Sequence, residues 1–132
     1  LTEIQNLAFA NQWGFSPNTV EEIRYRARMS FCRPEGILLL MNEEEPVGFN
    51  WTRIEEGPRH VIGFISMMGS HPDYRGLGLG VAVMRAGVNY LREAEVDRVQ
   101  LTVDSQNRSA YKIYNAAGFE RSAVTLWYER RL

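Results

Sequence analysis

Ser70-His71-Pro72-Asp73-Tyr74-Arg75-Gly76-Leu77-Gly78-Leu79-Gly80 is the stretch on which the fold turns. The run before it, Val61–Gly69, is apolar at both parities, the mark of a central strand covered on two sides. After it a helix runs to about Glu95. Between them, three alternate glycines let the backbone turn tightly and remove the side chains that would keep its N–H groups from converging on an anion. The helix start adds unpaired donors and a partial positive charge. Glycines there lower helix stability by roughly 1 kcal/mol each relative to alanine, so a compensating ligand is the stronger reading over an empty turn. The G-x-G-x-G spacing differs from the G-x-G-x-x-G of dinucleotide folds, and the Gly-Lys-Ser/Thr ending of a P-loop is absent. A pyrophosphate fits the loop.

Working outward, Ile4–Trp13 reads as a helix, and Ser16-Pro17 supplies a cap and a first-turn proline for a second helix to about Ser30. Thr19 and Glu22 have capping-box spacing. Ile37–Met41 and Val47–Ile54 read as a hairpin across the polar turn Asn42–Pro46, with Val47, Phe49, Trp51 and Arg53 on one face. A turn at Glu55–Arg59 leads into the central strand. Beyond the glycine loop and its helix come a strand at Val99–Val103, a helix from Ser109 to Ala117 and a last strand region, Phe119–Arg130. Strands first and βαβα afterwards predict an α/β (α+β) domain with a mixed sheet.

The 132 residues are 45% hydrophobic, enough for one core, and no repeat, low-complexity run or linker divides residues 1–132. Fifteen Lys and Arg stand against 16 Asp and Glu, a formal net charge of −1, which gives no electrostatic reason to expect nucleic acid or an anionic membrane as partner. Neither a membrane-length apolar run nor a secretory start is visible, so the expected setting is cytoplasmic. His60, His71 and the lone Cys32 lack zinc spacing, and no metal is expected. Cys32 reads as a small core residue.

Arg75-x-x-Gly78-x-Gly80 resembles the Q/R-x-x-G-x-G/A signature of the GNAT acetyltransferases, and Pro72-Asp73-Tyr74 precedes it as in that family. Downstream, Asn107-Arg108-Ser109-Ala110-Tyr111-Lys112-Ile113-Tyr114 and Gly118-Phe119 are similar to the family's second motif. The similarity runs from about Ile4 to the C-terminus. Within the family, Val47-Gly48-Phe49-Asn50-Trp51-Thr52 and the end of the Leu101–Asn107 segment are most similar to the C-terminal half of mycothiol synthases, which are tandems of two such domains. The resemblance implies a mostly antiparallel mixed sheet, splayed at its centre, with about four helices. The family's usual first strand has no room before Leu1, which points to a fragment or one half of a tandem.

The resemblance further implies acetyl-CoA as co-substrate. Met68, Gly69 and Ser70 would pair their backbone with pantetheine, Arg75, Gly76, Leu77, Gly78, Leu79, Gly80 and Val81 would hold the pyrophosphate, and Asn107 would touch the cofactor from the other side. An amine, on a small molecule or a peptide, would attack the thioester directly, with Tyr114 as proton donor to the departing sulfur. From spacing alone, Tyr111 and Tyr114 are equally one buried helix face. Family members often carry an acid on the strand that here reads Val61–Ser70, and this stretch has none. Asp104 is the best-placed substitute base, against a plain turn carboxylate; His60, Glu55 and Glu56 are others. Trp51, Trp13 and Phe31 are candidates for an acceptor wall or for core. Two alternatives remain open: an acyl-CoA-binding domain without catalysis, and an enzyme acting on protein or peptide N-termini.

Overall fold

The computed structural model describes residues 1–12, 14–126 and 128–130. Along the chain come α1 (Thr2–Phe9), α2 (Val20–Ala27), β1 (Ile37–Asn42), β2 (Glu45–Glu56), β3 (Val61–Ser70), α3 (Leu79–Glu93), β4 (Arg98–Leu101) and α4 (Arg108–Ala116). Short 3-10 turns at Pro34–Gly36 and Pro72–Tyr74 lead into β1 and towards α3. The strands form one mixed sheet in the order β1-β2-β3-β4, antiparallel except for the parallel β3–β4 pair.

Local chemistry sets most element ends. Thr19 and Glu22 form the expected capping box: the Glu22 N–H donates to Thr19 Oγ1 at 3.2 Å and the Thr19 N–H donates to Glu22 Oε2 at 2.7 Å. That reciprocal pair starts α2 at Val20 and overrides the Ser16-Pro17 signal. The Asn107 side chain caps α4 by accepting from the Ala110 N–H at 3.1 Å. The hairpin turns on Glu43, whose φ is 55°.

The sheet is buried on both faces. Ile54 and Ile65 pack against Met84 and Leu91 of α3, while Phe49 packs with Ile4 and Ala8 of α1 on the other side. Each such fully buried side chain contributes roughly 1.5–3 kcal/mol by leaving water. Trp51, at 3% exposure, is core. Trp13 lies outside the described residues.

The expected strand at Phe119–Arg130 is a correction: the described residues of that segment form no strand, and Val124, Leu126 and Tyr128 are exposed. The physical reason lies next door. β4 offers a ladder only four residues long, and Phe119 packs edge-on against Tyr114, with ring centroids 6.3 Å apart. Likewise the expected Val99–Val103 strand ends at Leu101. Among the described residues, no helix is long and apolar enough to cross a membrane.

Candidate active site

The site begins where two strands part. β3 pairs with β2 along its whole length, from Val61 to Ser70, but with β4 only from Ile62 to Ile65. Beyond Ile65 the β4 side of β3 is open. The register also slips at this point: Trp51 faces Met67 and Thr52 faces Ile65, leaving Ser66 as an extra, unpaired residue.

Strand alternation fixes which backbone groups look into the gap. The His71 N–H donates to the Val47 carbonyl on β2 at 2.8 Å. Residues two apart address the same neighbour, so Gly69 also turns to β2, whereas Met68 and Ser70 turn their N–H and C=O groups to the open side. Gly69 has a steric part instead: a Cβ there would come 2.8 Å from the Ala8 Cβ and 3.1 Å from the Phe49 ring.

At the end of β3 the chain makes its 3-10 turn and enters the glycine loop. Gly76 and Gly78 have φ of 82° and 78°, left-handed values that an L side chain resists, and a Cβ on either would meet nothing within 4 Å. Conformation, not crowding, demands glycine there. Gly78 is the N-cap of α3; it has no side chain to cap with, and the first turn carries no acid. The Gly76, Leu77, Gly78, Leu79 and Gly80 N–H groups have no backbone partner among the described residues, whereas Val81 and Ala82 donate to the Gly78 carbonyl. Such a row of free donors at a positive helix end is suited to a phosphate.

Two side chains brace the loop. Arg75 Nη2 donates to the Ala8 carbonyl at the end of α1, 3.2 Å away, so this arginine is tied to the protein and is not aimed at an anion. The Tyr74 hydroxyl donates to Glu45 Oε2 at 2.9 Å and accepts from Asn42 Nδ2 at 3.3 Å, linking the turn to the β1–β2 hairpin. Gly80 differs from its two neighbours. It has no positive φ, and a Cβ there would stand 2.7 Å from Ile113 Cδ1, so this glycine lets α4 approach the first turn of α3.

That approach carries Tyr114 inward. Tyr114 packs against the Ile54, Ile65, Met84, Leu91 cluster, as Met68 does. Burial raises its phenol pKa above the ordinary value, so the hydroxyl keeps its proton at neutral pH. Asn107 spends its Oδ1 on the helix cap, leaving its Nδ2 for any cofactor contact. Asp104 is an exposed turn residue whose Oδ1 accepts from the Gln106 N–H at 2.8 Å. A cavity of about 290 Å³ runs between α3 and α4 from Val81 to Ala117.

The other candidate bases are set apart. His60 precedes β3 and pairs with Asp97 at 3.9 Å; with roughly 3.3 Å per residue along a strand, it stands about 16 Å or more from the Ser66 bulge. Glu56 bridges to Arg33 at 3.3 Å. Glu55 holds Arg53 Nη1 at 3.2 Å. Among the described residues, no cluster of His, Cys, Asp or Glu could hold a metal ion.

Among the described residues, three buried side-chain polar atoms lack a hydrogen-bond partner: Gln5 Oε1, Asn50 Oδ1 and Arg53 Nε. Sequence reasoning did not find Gln5 and Asn50 or give Arg53 a role, although a polar residue at alternate positions of a buried strand was a signal. Gln5 Nε2 donates to Met67 Sδ at 3.1 Å, next to the bulge. Asn50 Nδ2 donates to the Val83 carbonyl of α3 at 2.8 Å.

Residues 1–119 match the acetyltransferase (GNAT) family. The chain belongs to that family. A mycothiol acetyltransferase of Stackebrandtia nassauensis is 37% identical over 100% of this chain and 44% of its own length. One from Thermobispora bispora is 35% identical over 93% of this chain and 43% of its own. The GNAT chain thus spans under half of the curated relatives it matches. Among solved structures, an aminoglycoside acetyltransferase from a soil metagenome, in complex with trehalose, superposes with a TM-score of 0.76 at 15% identity, over 98% of this chain and 87% of that one. The NatC complex bound to Gag peptide and CoA gives 0.74 at 19% identity, over 89% and 75%. Both likenesses concern the fold. The four-stranded mixed sheet and four helices agree with the GNAT expectation drawn from the sequence.

Proposed function

We propose that this GNAT domain binds acetyl-CoA in the gap between β3 and β4 and transfers the acetyl group to a primary amine of a small molecule or peptide. One observation carries the reading: a strand edge that β4 leaves unpaired runs into a loop with two left-handed glycines and a row of backbone N–H groups without a backbone partner among the described residues. The Met68 and Ser70 backbone would pair with the pantetheine amides as an added strand does. Gly76, Leu77, Gly78, Leu79 and Gly80 would hold the pyrophosphate by main chain, while Val81, whose N–H donates to the Gly78 carbonyl, would close the turn around it. Arg75 shapes that loop through its bond to Ala8, and Asn107 offers Nδ2 from the far wall.

In the reaction the neutral amine nitrogen attacks the thioester carbon, the C–S bond breaks, and coenzyme A leaves as a thiolate. The stretch of β3 at the Ser66 bulge, where the pairing with β4 ends, would supply a backbone N–H to the carbonyl oxygen as charge develops there. Tyr114 gives its proton to the sulfur, a role that its raised pKa suits. The amine's own proton would leave to water, with Asp104, an exposed carboxylate after β4, as the candidate relay.

A second reading, an acyl-CoA-binding domain without turnover, is favoured by a specific feature: β3 carries no acid. Calorimetric titration of acetyl-CoA into the wild type and Gly78→Trp, followed by a free-thiol assay with a panel of amines, separates the two. Binding lost in the variant and thiol released by an amine support the transferase. Binding without release supports the second reading, and no binding by the wild type refutes both.

A further inference from the structure

The cavity between α3 and α4 begins one residue past the glycine loop. Val81 and Ile113 wall it, Val88 and Ala116 add further apolar surface, and Arg85 and Asn89 bring polar groups to it. Gly80 sets where it starts: a Cβ there would stand 2.7 Å from Ile113 Cδ1, so the bare glycine lets α4 lie against the first turn of α3. The space therefore adjoins the backbone N–H groups proposed to hold the pyrophosphate. At about 290 Å³ it lies at the small end of ligand sites, enough for one ring system and not for a whole coenzyme.

Charge around the cavity departs from that of the chain. The chain has 16 acidic against 15 basic residues, yet α3 and α4 carry Arg85, Arg92, Arg108 and Lys112 against one acid, Glu93, at the far end of α3. Arg85 is the cation that lines the cavity; it is exposed and enters none of the ion pairs among the described residues. It follows Val81 by about one turn and lies roughly 10 Å along the helix axis from Gly78. Helical side chains lean toward the N-terminus, so the reach of Arg85 is back toward the loop. Asn89 accepts from Arg92 Nη2 at 3.0 Å through Oδ1, which leaves its Nδ2 as a donor.

We propose that this cavity takes the adenosine end of coenzyme A and that Arg85 binds the 3′-phosphate. The purine lies against Val81, Val88 and Ile113, with Asn89 Nδ2 donating to a ring nitrogen. The inference rests on the pyrophosphate reading of the glycine loop. The 3′-phosphate and the pyrophosphate hang from one ribose a few bonds apart, a separation that an arginine two turns down the same helix spans by leaning back. A guanidinium free of protein carboxylates offers a phosphate two parallel N–H donors.

Calorimetric titration of coenzyme A and of dephospho-coenzyme A, which lacks only the 3′-phosphate, tests this. The wild type binds coenzyme A roughly 10-fold tighter, the low end for charge-assisted hydrogen bonds because the site is exposed. Arg85→Gln brings the two affinities together by weakening coenzyme A alone, and its unchanged affinity for dephospho-coenzyme A reports that the variant is folded. Ala116→Trp, on an exposed position of α4, fills the cavity and weakens both ligands, with an unchanged melting temperature. Equal affinities in the wild type, a preference that survives Arg85→Gln, or full binding of both ligands by Ala116→Trp overturns the inference. Failure of the cofactor reading shows differently, as binding of neither ligand by the wild type or as binding indifferent to Gly78→Trp, and it takes the inference with it.

Discussion

Gly87→Ala is the sharpest test of how α3 is held, because helix propensity and packing predict opposite signs. Gly87 is in the interior of α3, where alanine would ordinarily gain about 1 kcal/mol. Here a Cβ would overlap the side-chain amide of Asn50, approaching its Cγ to 2.6 Å and its Oδ1 to 2.8 Å. Asn50 is fully buried and tied to the Val83 carbonyl at 2.8 Å, so it has nowhere to swing. Overpacking costs about 1–3 kcal/mol, and displacing the amide from Val83 leaves a buried polar group unpaired for roughly 1–3 kcal/mol more. After the propensity gain, the net loss is about 1–5 kcal/mol. At the usual scaling for a chain of this size that lowers Tm by roughly 3–20 °C. Removing the amide removes the conflict, so in a double-mutant cycle Asn50→Ala should rescue Gly87→Ala, with a favourable coupling of about 1.5 kcal/mol or more. Urea denaturation of the four proteins measures all of this. A Gly87→Ala protein as stable as the wild type, or additive single effects, would falsify the account of α3 as a helix keyed to β2 by one asparagine.

Tyr114→Phe should lower thiol release by roughly 10²-fold or more, the usual worth of a positioned proton donor, with acetyl-CoA affinity nearly unchanged in calorimetry. The same residue sets an alkaline limit. Its folded pKa lies above the unfolded value near 10, so its contribution to stability is complete below pH 10 and is lost as pH rises through the folded pKa; thermal melts above pH 10 should fall less steeply in Tyr114→Phe. Thr19→Ala should cost about 1 kcal/mol in denaturant titration by removing the capping box of α2, without changing cofactor affinity. Because β3 has no acid, kcat/KM should rise with pH along the free-base fraction of the acceptor amine. A separate break near pH 6–7 would reveal a protein base that the structure does not show.

What the sequence made legible was chemistry that acts over a few residues. The glycine loop and the Thr19–Glu22 box depend on local backbone donors, and each lies at its expected place, whereas the Asn107 cap of α4 was not anticipated. Gly80 was grouped with Gly78 because both fall in one motif. Only the packing of two helices shows that Gly80 faces Ile113 while Gly78 supplies a left-handed φ. The parting of β3 from β4 was expected by family resemblance, but the Ser66 bulge was not, since it arises from register with β2. Asn50 escaped for the same reason: it owes its role to a helix 33 residues away. The strand expected after Phe119 had the right alternation and lacked a long enough edge to pair with.

The constraints in this domain are distributed unevenly between the two substrates. Every part of the proposed cofactor side is tied down from outside itself: Arg75 to α1, Tyr74 to the β1–β2 hairpin, α3 to β2 through Asn50, and α4 to α3 at Gly80. Gly76 and Gly78 take left-handed conformations without steric cost, and these outside ties fix the ends of the loop they shape. Such preorganisation means that little ordering cost remains when an anion arrives. The acceptor side is built otherwise. The strand beneath it carries no acid, and Trp51 is spent on the core. An active site that positions the thioester firmly and leaves proton removal to water works best on an amine that is already partly neutral when it enters.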